Sequence, residues 1–205
     1  MSQTQVSVIP PSASYDDGTF PFQIGGKQGD GLVSELHGKW YTAAARNRVF
    51  FGSSLIAGVT IPVNTATAAT FTLYNPIGSG VNVEMISVDV GWPAAATTVV
   101  ASILGSISTQ TPTSVTEGGA TIKSIVGVGA GGTAAAKLYT AATITAITTH
   151  IPLFIVTTTA MAMVSSHYDF DGKLILAPGG LITLTSSPVQ TGVAIPSFAW
   201  AEWPQ

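Results

Sequence analysis

No Asp, Glu, Lys or Arg interrupts this chain between Arg48 and Glu84, between Asp89 and Glu117, or between Lys137 and Asp169. The gaps hold mostly Thr, Ala, Val, Ile, Ser and Gly. That is the texture of β-strands joined by small-residue turns, because β-branched side chains fit a pleated surface. It is poor material for an active site, since most catalysis needs ionisable groups placed close together. Only 8% of the 205 residues are charged, against about 25% in ordinary soluble domains. A surface so short of charge is sticky unless something covers it. These features predict a structural building block, not an enzyme.

A chain of this length buries a sufficient core as one domain without a metal or a disulfide. There is no cysteine, so thiolate catalysis and thiolate metal sites are excluded. The net charge of −3 has both signs thinly spread, which argues against nucleic acid and against an anionic membrane as partners. The opening MSQTQVSVIPPSASYDDG lacks a basic stretch followed by an apolar core, which predicts synthesis and folding in the cytosol.

Residues 1–35 read as an extended arm. Pro10–Pro11, Gly18, Pro21, Gly25–Gly26, Gly29 and Gly31 break any regular element. Val6, Val8, Ile9, Tyr15, Phe20, Phe22 and Ile24 are spaced along it as anchors for a neighbour. Residues 36–205 read as one all-β domain, a jelly-roll-like β-sandwich or barrel, because short strands recur between turn signals. In Thr70–Tyr74, Phe71 and Leu73 alternate with Thr70 and Thr72, the pattern of a half-buried strand. Val81–Val90 changes parity midway, which predicts a β-bulge near Met85–Ile86. Asp171–Gly172 predicts a two-residue hairpin between Tyr168–Phe170 and Lys173–Leu176. The Ala-rich run Thr133–Ala142 is the best candidate for a helix.

Motifs with chemical potential are few. Gly127 to Gly132 fits G-x-G-x-x-G, but the acidic residue expected about 20 positions on is missing. His37, His150 and His167 lack metal-ligand spacing. His167, Asp169 and Asp171 share one face of a strand and form the nearest thing to a cation site. Asp16, Asp17, Asp30 and Glu35 are the carboxylates a glycosidase pair would draw on, and they lie in the irregular arm. Trp40, Trp92, Trp200 and Trp203 serve either sugar stacking or core and subunit packing. Arg46 and Arg48 share a strand face ahead of the first neutral gap, as charges for a partner. No cofactor, metal site or catalytic residue is expected. The residues expected to meet partners are Val8, Tyr15, Phe20, Phe22, Trp40, Arg46 and Arg48.

Three segments carry a resemblance: LHGKWYTAAARNRVFFGSS (36–54), FTLYNPIGSGVNVEMISVDVG (71–91) and APGGLITLTSSPVQTGVAIPSFAWAEWP (177–204). Their G-[KR]-[WY]-Y with a basic pair, L-x-N-P-x-G-S-G, P-G-G and terminal W-x-E resemble jelly-roll virion structural proteins of tailed bacteriophages. The resemblance implies a capsid decoration (cement) protein on the virion surface, a homotrimer whose partners are the major capsid protein and copies of itself. A tail, head-fibre or baseplate component, or a receptor- or glycan-binding module, are the alternatives. Residues 94–137 match nothing in the pattern and read as an insertion.

Overall fold

The computed structural model describes residues 39–64, 68–92, 100–116, 120–124, 133–157, 164–187 and 192–205. Its contacts group Met1–Thr42 and Ala43–Gln205 as two units, and the β-strands all belong to the second. Among the described residues, the helix α1 (Tyr41–Ala45) is followed by thirteen strands. They are β1 (Val49–Ser54), β2 (Val59–Thr60), β3 (Ala68–Tyr74), β4 (Val81–Trp92), β5 (Val100–Ser108), β6 (Thr113–Thr116) and β7 (Ala120–Ser124). Then come β8 (Lys137–Ile144), β9 (His150–Thr157), β10 (Val164–Asp169), β11 (Ile175–Leu176), β12 (Leu181–Ser187) and β13 (Val193–Pro204).

Two antiparallel sheets form a sandwich, in the orders β10-β4-β13-β1-β7 and β6-β8-β3-β12-β5-β9. Eight of these strands pair as a rolled hairpin ribbon: β1 with β13, β3 with β12, β4 with β10 and β5 with β9. Pairings β4–β13 and β5–β12 close the ribbon into the two sheets. This is jelly-roll topology, as the strand pattern predicts. The remaining β6, β7 and β8 interrupt the β5–β9 hairpin. They extend both sheets beyond β1 and β3, which places most of the unmatched region 94–137 in an insertion.

The core lies between the sheets. Phe71 and Phe198, one from each sheet, stack at 5.2 Å, and Phe50 stacks on Trp200 at 6.0 Å. All four are buried, each contributing about 1.5–3 kcal/mol of apolar burial. The predicted bulge is present in β4. Ala199 pairs with Ser87 and Trp200 with Met85, so Ile86 is the extra residue. Val83 and Met85 before it, and Val88 and Val90 after it, all reach the core.

Four expectations need correction. Residues 137–142 of the supposed Ala-rich helix belong to β8, because Leu138 packs into the core while Tyr139, Ala142 and Ile144 pack on the other face. Tertiary burial outweighs the helix propensity of alanine there. Asp171–Gly172 does form a tight turn, with φ of 48° and 75° and Lys173 N–H donating to Phe170 C=O at 2.9 Å. Yet β10 and β11 do not pair with each other. Both run along β4, on either side of its bulge, so the turn is a jog in one edge. A Cβ at Gly172 would sit 2.7 Å from Glu84 Oε1.

The third correction concerns Thr70 and Thr72, which are buried instead of facing solvent. The fourth is the arginine pair. Arg48 N–H donates to Ala43 C=O and Asn47 N–H to Ala44 C=O, with Asn47 at φ 56°. That Schellman closure ends α1, so Arg46 lies in a turn and β1 starts only at Val49.

The L-x-N-P-x-G-S-G and P-G-G motifs meet at Asn75, which is fully buried. Its backbone N–H donates to Gly180 C=O at 2.8 Å, and its C=O accepts from Gly179 N–H at 2.7 Å. Its side-chain amide donates to Val81 C=O and Leu176 C=O, both at 2.9 Å. One residue thus ties the Asn75–Gly80 turn to the Pro178–Gly180 turn. Asn75→Ala should destabilise the fold by about 2–3 kcal/mol, because it removes two hydrogen bonds and strands the buried Leu176 carbonyl. Asn75→Asp should cost more, since it sets a carboxylate against the same oxygens. Urea denaturation of the two variants checks both the size and the order.

Candidate functional site

The most developed polar cluster lies on the outer face of the second sheet. Thr70, Thr72 and Thr183 bond to one another through their hydroxyls, with Thr72 to Thr183 at 2.9 Å. Ser106 joins Thr185 at 2.7 Å and His150 Nδ1 at 2.8 Å. Buried hydroxyls need partners, and here they supply them to each other.

A strap covers this face. Residues 145–149 connect β8, beside β3, to β9, beside β5, so they cross β3, β12 and β5. Four strand spacings amount to about 19 Å, and six residue steps reach about 21 Å, which leaves little slack. Ile147 of the strap is buried among Tyr74, Tyr139, Ala142, Ile144 and Leu181. Asn64 pins it. The Asn64 amide donates to Ile147 C=O at 2.8 Å, and its Oδ1 accepts from Ile147 N–H at 3.3 Å. That pair fixes the orientation of the carboxamide. The same Nδ2 lies 3.1 Å from His150 Nε2, so Nε2 accepts and Nδ1–H donates to Ser106. Gln110 clamps Thr145 in the same two-bonded way, at 2.7 and 3.1 Å. The role of this network is structural: its members hold one another.

A second polar centre is Glu202, a buried carboxylate. It accepts from Ala135 N–H at 2.8 Å, Ala136 N–H at 3.0 Å and Trp200 Nε1–H at 3.1 Å. Gly127–Gly132 lie outside the described residues. Phosphate binding would require a helix directly after these glycines. Residues 133–136 instead carry two N–H groups already held by this chain's own carboxylate. Across the sheet, Trp203 Nε1–H donates to Glu84 at 2.7 Å and Arg48 lies over the Trp203 ring at 5.6 Å. Glu84 shares its face with Ala201 and Trp203, whereas Glu202 points the other way. The two carboxylates therefore do not form a catalytic pair.

The remaining candidates are dispersed. His167 meets Asp89 across the β10–β4 ladder at 2.6 Å, in solvent. Asp169 instead accepts from Asp171 N–H at 2.8 Å. Among the described residues, no group of three or more His, Asp or Glu is placed to hold a metal. Trp200 is a core residue and Trp92 is buried. Lys39 lies 5.1 Å over the ring of Trp40, which is half-buried. Val8, Tyr15, Phe20 and Phe22, with Asp16, Asp17, Asp30, Glu35 and His37, lie outside the described residues.

An open groove of about 570 Å³ lies at one end of the sandwich. Its walls are residues 107–109, strap residues 146–149, residues 174–178 and residues 180–181. None of them is ionisable. The sequence gives no direct sign of this groove, because its walls come from three stretches, 107–109, 146–149 and 174–181, that lie far apart along the chain. Asn64 and His150 were equally hidden; Asn75 and Glu202 stood inside the L-x-N-P-x-G-S-G and W-x-E motifs. No family profile, curated protein or solved structure matches this chain.

Asn64→Ala should destabilise the fold by about 2–3 kcal/mol, because both Ile147 backbone groups and His150 lose their partner. Amide hydrogen exchange at Ile147 should accelerate well beyond that of core amides in β12, which locates the loss in the strap.

Proposed function

We propose that this chain is a virion structural protein, a capsid decoration (cement) protein that binds and stabilises an assembled phage head as a homotrimer. The observation that carries the reading is the chemistry of the groove at the end of the sandwich, which has room for a ligand but no ionisable side chain in its walls. Catalysis needs charged or titratable groups at the reacting atoms. This groove offers only apolar contact, hydroxyls and peptide groups, which suit another protein chain. The jelly roll supports the same reading, as does a composition with 8% charged residues, which favours a surface shared with neighbours. The assignment to a phage head comes from the three segments that resemble such virion proteins.

A protein that binds only the assembled lattice stabilises it by mass action. Purified chain should therefore run as a trimer, three times 20.9 kDa, in light scattering. It should co-sediment saturably with heads stripped of it and raise the temperature at which they rupture. Failure to co-sediment, with the protein folded, contradicts the decoration role.

A further inference from the structure

The groove has a wall that is not a strand but is built like one. The peptide groups of Thr145 and Ile147 are satisfied by the carboxamides of Gln110 and Asn64, and Thr149 C=O accepts from Ile107 N–H. Ala146 and Thr148, both exposed, intervene between these residues, and their backbone groups have no hydrogen-bond partner among the described residues. They stand beside a trough lined by Ile107, Leu174 and Leu181 and rimmed by Ile175, which is 59% exposed. Open peptide groups next to an apolar trough are what an added strand uses. Backbone pairing supplies affinity, and alternate side chains fill the trough.

The trough also selects its occupant. A charged segment would lose its hydration there without gaining a counter-charge. A sugar or a base would find no aromatic platform in the walls. The best fit is an uncharged, extended, β-branched segment. This chain contains one. Met1–Ser14 has no charged side chain, Val6 and Val8 alternate with Gln5 and Ser7, and Pro10–Pro11 end any pairing. The residues between Ile9 and Lys39 span up to about 100 Å when extended, enough to reach a neighbouring molecule.

We propose that residues Gln5–Ile9 of one copy add as a strand along residues 145–149 of a second copy, with Val6 and Val8 seated in the groove. A second copy is favoured because so weakly charged a surface needs covering by its neighbours. The inference rests on the self-association in the proposed function and not on capsid binding.

The chain has no cysteine, so introduced thiols are unique. Full-length V8C and T148C chains carrying different tags, mixed and treated with a short bismaleimide, should give a cross-linked pair bearing both tags. Adding Ile175→Glu to the T148C chain charges the rim at an exposed position. It should reduce that product about tenfold (about 1.4 kcal/mol of docking free energy) while leaving the thermal melt unchanged. No cross-link, or a yield indifferent to Ile175→Glu, overturns the docking site. Cross-linking only within a V8C/T148C double variant, and never between differently tagged chains, overturns the second copy as host. If capsid binding fails but this cross-link forms, the decoration role falls and the docking stands.

Discussion

Pairing of β4 with β13 closes the roll, and it succeeds because β4 carries one residue more than its partner, at Ile86. Without that extra residue, Val83 and Met85 could not share a face with Val88 and Val90. A slip of one residue turns every side chain to the wrong side of a strand. The same seam sorts the C-terminal residues. Trp200 and Glu202 face inward, where the carboxylate ties down Ala135 and Ala136, and Trp203 faces outward to Glu84 and Arg48. A bulge in a single strand thus governs the core, the anchoring of the insertion, and the outer tryptophan. Disturbing it would propagate through all three.

The chain replaces charge with hydroxyls and carboxamides. On the outer face of the second sheet, where solvent would be expected, Thr70, Thr72, Thr183, Thr185 and Ser106 are buried under the strap and bonded to one another or to His150. Satisfied hydroxyls cost little to bury, while ions cost several kcal/mol each. This makes a sandwich with an additional covered layer and a neutral groove at its end. The arrangement suits a molecule whose contacts are with other protein chains.

Much of this was legible in the sequence, and the exceptions have physical causes. Parity within Val81–Val90 located the bulge, and the Asn, Pro and Gly of the L-x-N-P-x-G-S-G and P-G-G motifs are residues that suit the corners at Asn75–Gly80 and Pro178–Gly180. These are local signals. The sequence did not say that the two corners join through Asn75, because that contact spans about a hundred residues. Nor could local pattern expose β8. Its bulge opposite Phe71 brings Tyr139 and Ala142 to one face, so the apolar period that would mark a strand is broken. Thr70 and Thr72 look solvent-facing because threonine alternation reads alike whether water or a strap lies above it. Asp171–Gly172 gave the right turn but the wrong pairing, since turn chemistry fixes φ and not the partner strand.

The central claim is that this chain serves as a repeating part of a virion. Its most direct test is the copy number of the chain in purified particles, by quantitative mass spectrometry against the major shell protein. A decoration protein that covers the lattice predicts a ratio near one to one, by the mass action that fills equivalent sites. A ratio of about one in a hundred would fit a tail, fibre or baseplate part and contradict the decoration role. Absence from the particles would contradict the virion account altogether.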